Sequence, residues 1–116
     1  MKKKKILIVE DSWTTLISLK ICLEFAGYDI YTAMDGEAGL KMARSLKPDL
    51  ILLDIIMPKI DGFSVCQSLK FDKEYENIPV ILLSVKNETK DKKVGREVGA
   101  DAYFAKPFDA KVLISV

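Results

Sequence analysis

Short runs rich in apolar residues recur along the chain and are separated by polar stretches. The clearest run is Leu50 to Leu53, which is continuously apolar and stops at Asp54. Such a run is typical of a parallel strand that is covered on both faces, because alternating polar residues would enter the helix layers. Four other segments are also predicted to be strands, which gives five in all: Ile6–Val9, Tyr28–Ala33, Val80–Leu83 and Ala102–Ala105.

The stretches between the predicted strands have the signals of helices. Asp11 or Ser12 can cap a helix that runs to about Ala26, where Gly27 has the usual position of a C-terminal glycine. Further helices are predicted from Asp35-Gly36 to Lys47, from Phe63 to about Phe71, from Glu88 to Val98, and after Asp109. The last one has only about two turns before Val116, so we expect it to be truncated and to continue in the natural protein.

Strands that alternate with helices through short links predict a parallel sheet with right-handed crossovers. The predicted fold class is α/β, a flavodoxin-like (βα)5 single domain with a five-stranded parallel sheet in the order 2-1-3-4-5 and helices on both faces. A chain of 116 residues with 49% hydrophobic residues fits one domain with one core, so we expect the domain to span residues 1–116.

Composition and charge exclude several classes of function. A net charge of +1 is no basis for nucleic-acid binding by this domain, and the run from Lys2 to Lys5 is interpreted as a solvated N-terminus. No segment approaches the ~20 apolar residues of a membrane span, and no signal-peptide core follows the lysines, so we expect a cytoplasmic protein without membrane contact. Cys22 and Cys66 have no metal-like spacing and are interpreted as small core or surface thiols.

Acidic residues end two strands that the predicted order makes neighbours. Glu10 and Asp11 follow the first strand, and Asp54 ends the third. Because adjacent strands lie ~4.8 Å apart, these carboxylates should lie within several ångström of one another, where two like charges repel by about 4 kcal/mol at an effective dielectric near 20. A divalent cation removes this repulsion, and an all-oxygen, partly hydrated site suits Mg²⁺ or Mn²⁺.

Two other strand ends contribute complementary groups, a hydroxyl from Ser84 and an ammonium group from Lys106. Together with the acids they predict a phosphoryl site, in which the metal and Lys106 neutralise phosphoryl oxygens, Ser84 donates a hydrogen bond and Asp54 attacks phosphorus. Each residue alone has an ordinary structural interpretation, as a helix cap, a turn former or a solvated lysine. Their coincidence at one edge of one sheet favours the chemical interpretation.

The motifs are specific as a set. They are Val9-Glu10-Asp11-Ser12, Pro48-Asp49 followed by Asp54-Ile55-Ile56-Met57-Pro58 and Asp61-Gly62, Pro79-Val80 to Ser84, and Gly99-Ala100-Asp101 followed by Lys106-Pro107-Phe108. In these motifs the chain resembles, over its whole length, the receiver domain of a two-component response regulator. The resemblance implies a phosphoryl-accepting signalling switch that catalyses only its own phosphorylation and dephosphorylation, without independent turnover.

The resemblance also implies a role for each residue of the site. Asp54 would be the phosphoacceptor, Asp11 would bind Mg²⁺ directly, Glu10 would often act through water, and the backbone carbonyl of Ile56 would complete the protein ligands. Lys106 would be directed into the pocket by a cis peptide bond to the following proline.

Two further residues would transmit the signal. By the same resemblance, Ser84 would be the switch hydroxyl and Tyr103 the aromatic side chain that swings inward when Ser84 moves toward the phosphoryl group. The change would reach the face formed by the fourth helix, the fifth strand and the fifth helix, which could also carry a homodimer contact.

A phosphohistidine donor must belong to another protein, because the chain contains no histidine. The resemblance implies a histidine kinase or a histidine phosphotransfer protein that docks on the first helix. Apolar residues spread around more of this helix than one buried stripe needs, so we expect Leu16, Ile17 and Ile21 to form part of the docking surface. Scattered exposed apolar residues are the alternative.

Two other classes of function stay open, a pseudo-receiver that acts only as an interaction module and, less favoured, a phosphatase with an aspartyl nucleophile. Such phosphatases generally have a second acid two residues after the nucleophile, where this chain has Ile56. The acids, Ser84 and Lys106 argue against a pseudo-receiver. A small phosphodonor with Mg²⁺ would separate the three, through a stable adduct on Asp54, steady phosphate release, or neither.

Overall fold

The computed structural model describes residues 3–55, 62–84 and 99–105. Their helices and strands agree with the predicted ones to within about one residue at each end. The helices predicted from Glu88 to Val98 and after Asp109 lie outside the described residues. In chain order the elements are β1 (Lys5–Val9), α1 (Trp13–Phe25), β2 (Asp29–Ala33), α2 (Gly36–Leu46), β3 (Leu50–Asp54), α3 (Gly62–Lys70), β4 (Val80–Ser84) and β5 (Ala102–Ala105).

The five strands form one parallel sheet in the order β2-β1-β3-β4-β5, which confirms the predicted topology. β1 and β3 are direct neighbours, and Val9 pairs with Leu53 in their register. The residues that follow these two strands therefore leave the sheet side by side at its carboxyl edge.

Each face of the sheet has its own apolar core, and the strand residues alternate between the two. One core joins the sheet to α2 and α3 and includes Leu7, Val9, Leu53, Ala43, Val65 and Leu69. The other joins it to α1 and includes Ile6, Ile8, Leu52, Leu16, Leu19 and Leu23. Both sides of β1 and β3 are buried, which is why their sequences are continuously apolar. Among the described helices, none combines the length and the apolar character that crossing a membrane requires.

The packing of α1 corrects one prediction. Leu16 is only 2% exposed and packs in the core with Leu19 and Leu23. These three residues are three and four positions apart, so they share the face of the helix that is turned to the sheet. Leu16 is therefore a core residue and not part of a docking surface, whereas Ile17 is partly exposed and Ile21 is 62% exposed.

The C-terminus of α1 is a Schellman motif. Gly27 has a φ of 101°, its N–H donates to the carbonyl of Glu24, and the N–H of Tyr28 donates to the carbonyl of Leu23. This conformation favours glycine, because a Cβ would be strained there. The predicted glycine stop is confirmed. At the other end Ser12 is the N-cap residue by position, without a side-chain hydrogen bond to the helix.

The two cysteines have different environments, and neither forms a disulfide in the described part of the chain. Cys22 is exposed on α1, whereas Cys66 belongs to α3 and is buried in the core. Burial raises the pKa of the Cys66 thiol to about 11, so this thiol stays protonated and poorly nucleophilic at neutral pH. Cys66 is thus a core residue and Cys22 a surface residue.

A partly buried lysine that the sequence analysis did not single out holds the link between α3 and β4. The Lys70 side chain is only 9% exposed, and its Nζ pairs with Asp101 Oδ2 at 2.7 Å. Nζ also donates to the carbonyls of Glu76 and Ile78 at 3.1 and 2.8 Å. The same Asp101 oxygen accepts a hydrogen bond from the N–H of Val80. These contacts join the end of α3 to the starts of β4 and β5.

Replacing Lys70 with Met should lower the free energy of unfolding by about 2 kcal/mol, because the carbonyls of Glu76 and Ile78 and the Asp101 carboxylate lose a partly buried charged donor. Urea unfolding followed by circular dichroism measures the change. Lys41→Met is the matched control, since Lys41 forms an exposed pair with Glu37 at 3.7 Å and should contribute less than about 1 kcal/mol. Equal losses in the two variants would contradict the role of Lys70.

Candidate functional site

Three carboxylates meet at the carboxyl edge of the sheet, where β1 and β3 end. One oxygen atom from each of Glu10, Asp11 and Asp54 lies within 4.8 Å of the other two. The pairing of β1 with β3 produces this arrangement, because it places the ends of the two strands beside each other. The structure therefore brings together the three acids that the sequence analysis selected.

The acids differ in their contact with solvent. Glu10 is fully buried and Asp54 is 7% exposed, and in the described part of the chain they are the two buried residues of polar or charged type. Asp11 is exposed. Burial raises the free energy of a carboxylate, and the proximity of the three negative charges raises it further. A divalent cation among the oxygens would offset both effects, and Asp11 gives it access from solvent.

Backbone hydrogen bonds hold both sides of the cluster. The N–H of Glu10 donates to the carbonyl of Ala33 at 3.0 Å, which ties the residue after β1 to β2. The N–H of Ile55 donates to the carbonyl of Leu83 at 3.0 Å, which ties the residue after Asp54 to β4. The carboxylates are thus carried by backbone that the sheet itself positions.

The structure describes the other predicted site residues only in part. Ser84 ends β4, directly after the residue that pairs with Asp54, so its backbone lies at the same edge of the sheet. Tyr103 lies within β5. Lys106 and Ile56 lie outside the described residues.

The outer side of α1 carries a row of apolar residues, which we call the α1 ridge: Trp13, Ile17, Ile21 and Phe25. Each is four positions from the next, so their side chains follow one another along the helix. Trp13 and Ile21 are 62% exposed and Phe25 is 94% exposed. Large apolar side chains exposed in one row are typical of an interaction surface.

Sequence analysis found only part of this ridge. Its spacing of four is visible in the sequence, but the helix has a second apolar row that contains Leu16, Leu19 and Leu23. The sequence does not show which row faces the sheet, and Leu16 was assigned to the wrong one.

The chain matches the response regulator receiver domain family over residues 6–116. It is 46% identical over 108 residues to the alkaline phosphatase synthesis transcriptional regulatory protein PhoP of Bacillus subtilis. That alignment covers 93% of this chain and 44% of PhoP, so the chain spans less than half of the length of this relative.

Solved structures of similar sequence share the fold. The chemotaxis protein CheY4 of Vibrio cholerae is 30% identical with a TM-score of 0.91, over 98% of this chain and 95% of that one. The receiver domain of the sensor histidine kinase PA1611 of Pseudomonas aeruginosa is 26% identical with a TM-score of 0.90, over 98% of this chain and 93% of that one. The PA1611 structure has a magnesium ion coordinated in its active site cleft.

The electrostatics of the cluster predict opposite effects of one substitution with and without Mg²⁺. Without Mg²⁺, Asp11→Asn should raise the melting temperature, because it removes one of three mutually repelling charges. Mg²⁺ at a concentration near 100 times its dissociation constant should raise the free energy of unfolding of the wild type by about 2–3 kcal/mol. The increase for Asp11→Asn should be much smaller. Thermal unfolding at constant ionic strength measures both effects.

Glu37→Gln is a suitable control, because Glu37 is an exposed acid in the first turn of α2. This variant should show the same Mg²⁺-dependent shift as the wild type. If Asp11→Asn keeps the full shift, Asp11 does not contribute to cation binding.

Proposed function

The chain belongs to the response regulator receiver domain family and is a phosphorylatable signalling switch of two-component systems, and we propose that Asp54 is the residue that accepts the phosphoryl group. The position of Asp54 is the observation that carries this proposal. It ends the central strand β3, is almost fully buried, and lies in a cluster with Glu10 and Asp11. Reactive groups of open α/β sheets lie at this edge, beyond the carboxyl ends of the strands.

The proposed reaction is a direct transfer to the carboxylate. An oxygen of Asp54 attacks phosphorus and forms an acyl phosphate, while the bond between phosphorus and the donor atom breaks and its electron pair leaves with the donor. Such a transfer depends on positioning and on neutralising the charge of the phosphoryl oxygens. Ser84 would donate a hydrogen bond to one of these oxygens, and Lys106 would neutralise another.

The residues present fit a divalent cation. The cluster contributes only carboxylate oxygens, and Mg²⁺ in proteins is ordinarily bound by one or two carboxylates and several waters. We propose that Glu10, Asp11 and Asp54, with the backbone carbonyl of Ile56, hold Mg²⁺ or Mn²⁺. The bound ion would supply positive charge to the phosphoryl oxygens.

The proposed switch connects the phosphoryl group to β5. Ser84 follows the residue of β4 that pairs with Asp54, and Tyr103 in β5 pairs with Leu82 in β4. Movement of Ser84 toward the phosphoryl group would leave room for Tyr103 to turn inward. The change would then reach the face formed by the fourth helix, β5 and the fifth helix, where an output partner or a second copy could bind. Both of these helices lie outside the described residues.

A receiver domain is a signalling domain, and we propose that this one has no turnover beyond its own phosphorylation and dephosphorylation. Ile56 stands two residues after Asp54, where an aspartyl phosphatase generally has its general acid.

We also propose that residues 1–116 form one receiver domain and that it acts in the cytoplasm. An exposed cysteine without a disulfide, Cys22, fits such a reducing compartment.

Acetyl phosphate with Mg²⁺ tests the role of Asp54. The wild type should gain the mass of one phosphoryl group, and hydroxylamine should release it as expected for an acyl phosphate. Asp54→Asn should gain none, because an amide is a poor nucleophile, whereas the control Asp72→Asn should react like the wild type. Intact-mass spectrometry measures the adduct. Continuous release of inorganic phosphate would indicate a phosphatase, and neither adduct nor release would indicate an interaction module.

Receiver domains interact with histidine kinases, and we propose that the α1 ridge is the surface that binds the phosphodonor protein, a histidine kinase or a histidine phosphotransfer protein. The ridge begins at Trp13, two residues after Asp11, so a partner on it would lie close to the acidic cluster. From Trp13 to Phe25 it extends for about 18 Å at 1.5 Å per residue. A helical ridge of this kind packs into the grooves between side-chain rows of a partner helix.

Substituting the exposed ridge residue Ile21 with Lys should slow phosphotransfer from the cognate kinase by about tenfold or more, because a charge would enter an apolar contact. Phosphorylation by acetyl phosphate should be unchanged, since Ile21 is outside the core. Ser18→Lys is the matched control, because it adds the same charge at an exposed position of α1 outside the ridge. Equal transfer rates in the two variants would exclude the ridge as the docking surface.

A further inference from the structure

We infer that Gly62 is a positioning residue for the reaction at Asp54, because the lack of a side chain at the start of α3 lets this helix lie directly on the backbone that carries the carboxylate. The inference rests on the proposed role of Asp54 and adds Gly62 to the residues that orient the Asp54 carboxylate.

The contact is between backbone atoms. Gly62 is the first residue of α3 and is buried. A Cβ at this position would overlap the carbonyl oxygen of Asp54 and would lie 2.9 Å from its carbonyl carbon and 2.7 Å from Cα of Ile55. These atoms belong to the end of β3, so they cannot rotate away as a flexible side chain would.

Hydrogen bonds also hold this piece of backbone. The N–H of Ile55 donates to the carbonyl of Leu83 in β4 at 3.0 Å, and the carbonyl of Ile55 accepts from the N–H of Gly62 at 2.8 Å. Both backbone polar groups of Ile55 are therefore used, one by β4 and one by α3. The backbone of the residue that follows Asp54 is thus hydrogen-bonded both to β4 and to the start of α3.

An added methyl group at position 62 would force one of two movements. Either α3 moves away from β3, or the peptide between Asp54 and Ile55 tilts. An outward movement is opposed by the buried apolar side chains of α3, which are Val65, Cys66 and Leu69. A tilt would change the orientation of the Asp54 carboxylate relative to Glu10 and Asp11. Misplacing a reacting group by about 1 Å can reduce a rate by about 100-fold.

A second glycine is the matched control for effects on stability. Gly27 disfavours alanine for a different reason, its φ of 101°, because a Cβ there would meet nothing within 4 Å. Gly27→Ala should therefore destabilise the fold through backbone strain alone, at the C-terminal end of α1 and away from the acidic cluster. Comparing it with Gly62→Ala separates loss of stability from loss of positioning.

The experiment compares wild type, Gly62→Ala and Gly27→Ala at a temperature at which circular dichroism shows each protein to be folded. We expect both variants to melt earlier than the wild type. Gly62→Ala should react with acetyl phosphate at saturating Mg²⁺ at least about tenfold more slowly, and its Mg²⁺ dissociation constant from calorimetry should rise by about threefold or more. Gly27→Ala should stay within about twofold of the wild type in both measurements.

The possible outcomes separate the inference from the proposed function. If folded Gly62→Ala matches the wild type in rate and Mg²⁺ affinity, the positioning role is overturned and the role of Asp54 stands. If the wild type gains no phosphoryl group at Asp54, the proposed function fails, and the Mg²⁺ dissociation constants still decide whether Gly62 positions the cluster.

Should Gly62→Ala not fold in buffer, trimethylamine N-oxide should restore the folded state, because it is excluded from protein surface. All three proteins are then compared in the same solution. A variant that stays unfolded even there would make Gly62 a requirement of the fold and would overturn the positioning role.

Discussion

The parallel pairing of β1 with β3 is the contact on which the rest of the structure depends. It places Val9 opposite Leu53, so the acids that follow each strand must leave the sheet together. No contact between the side chains of Glu10, Asp11 and Asp54 would select this arrangement, because like charges repel. The strands impose it through their apolar residues, which alternate between the two cores. The repulsion at the site is thus offset by hydrophobic burial along the strands that carry it.

Backbone, more than side chains, sets the precision of the site. Glu10 is tied to β2 through its N–H, and the residue after Asp54 is tied both to β4 and to the first residue of α3. Side chains at strand ends can rotate, whereas a residue whose backbone N–H and carbonyl are both hydrogen-bonded has little freedom. The backbone hydrogen bonds of the sheet therefore fix the positions from which the carboxylates extend.

The sequence predicted the topology because each strand has a local signal. Leu50 to Asp54 shows both the burial of β3 and its end, and Gly27 marks the end of α1 through a conformation that few other residues adopt. Contacts that depend on distant residues gave no such signal. Lys70 has the sequence context of a surface lysine, and its contacts with Asp101 and with carbonyls of the turn before β4 follow from the fold. Gly62 likewise could be interpreted as a helix start until β3 was in place beside it.

The failure at Leu16 shows what a helix sequence leaves open. α1 has two apolar rows, and burying either of them would satisfy the hydrophobic effect. The chain leaves β1 and enters α1 through Glu10, Asp11 and Ser12, and the row with Leu16, Leu19 and Leu23 is the one that meets the sheet. The row with Leu16, Leu19 and Leu23 anchors α1 in the core. The α1 ridge is therefore carried by a helix that is fixed to the sheet. A partner bound to the ridge would therefore meet the reactive edge in one orientation, so that substitutions on the ridge could change the partner without changing the chemistry.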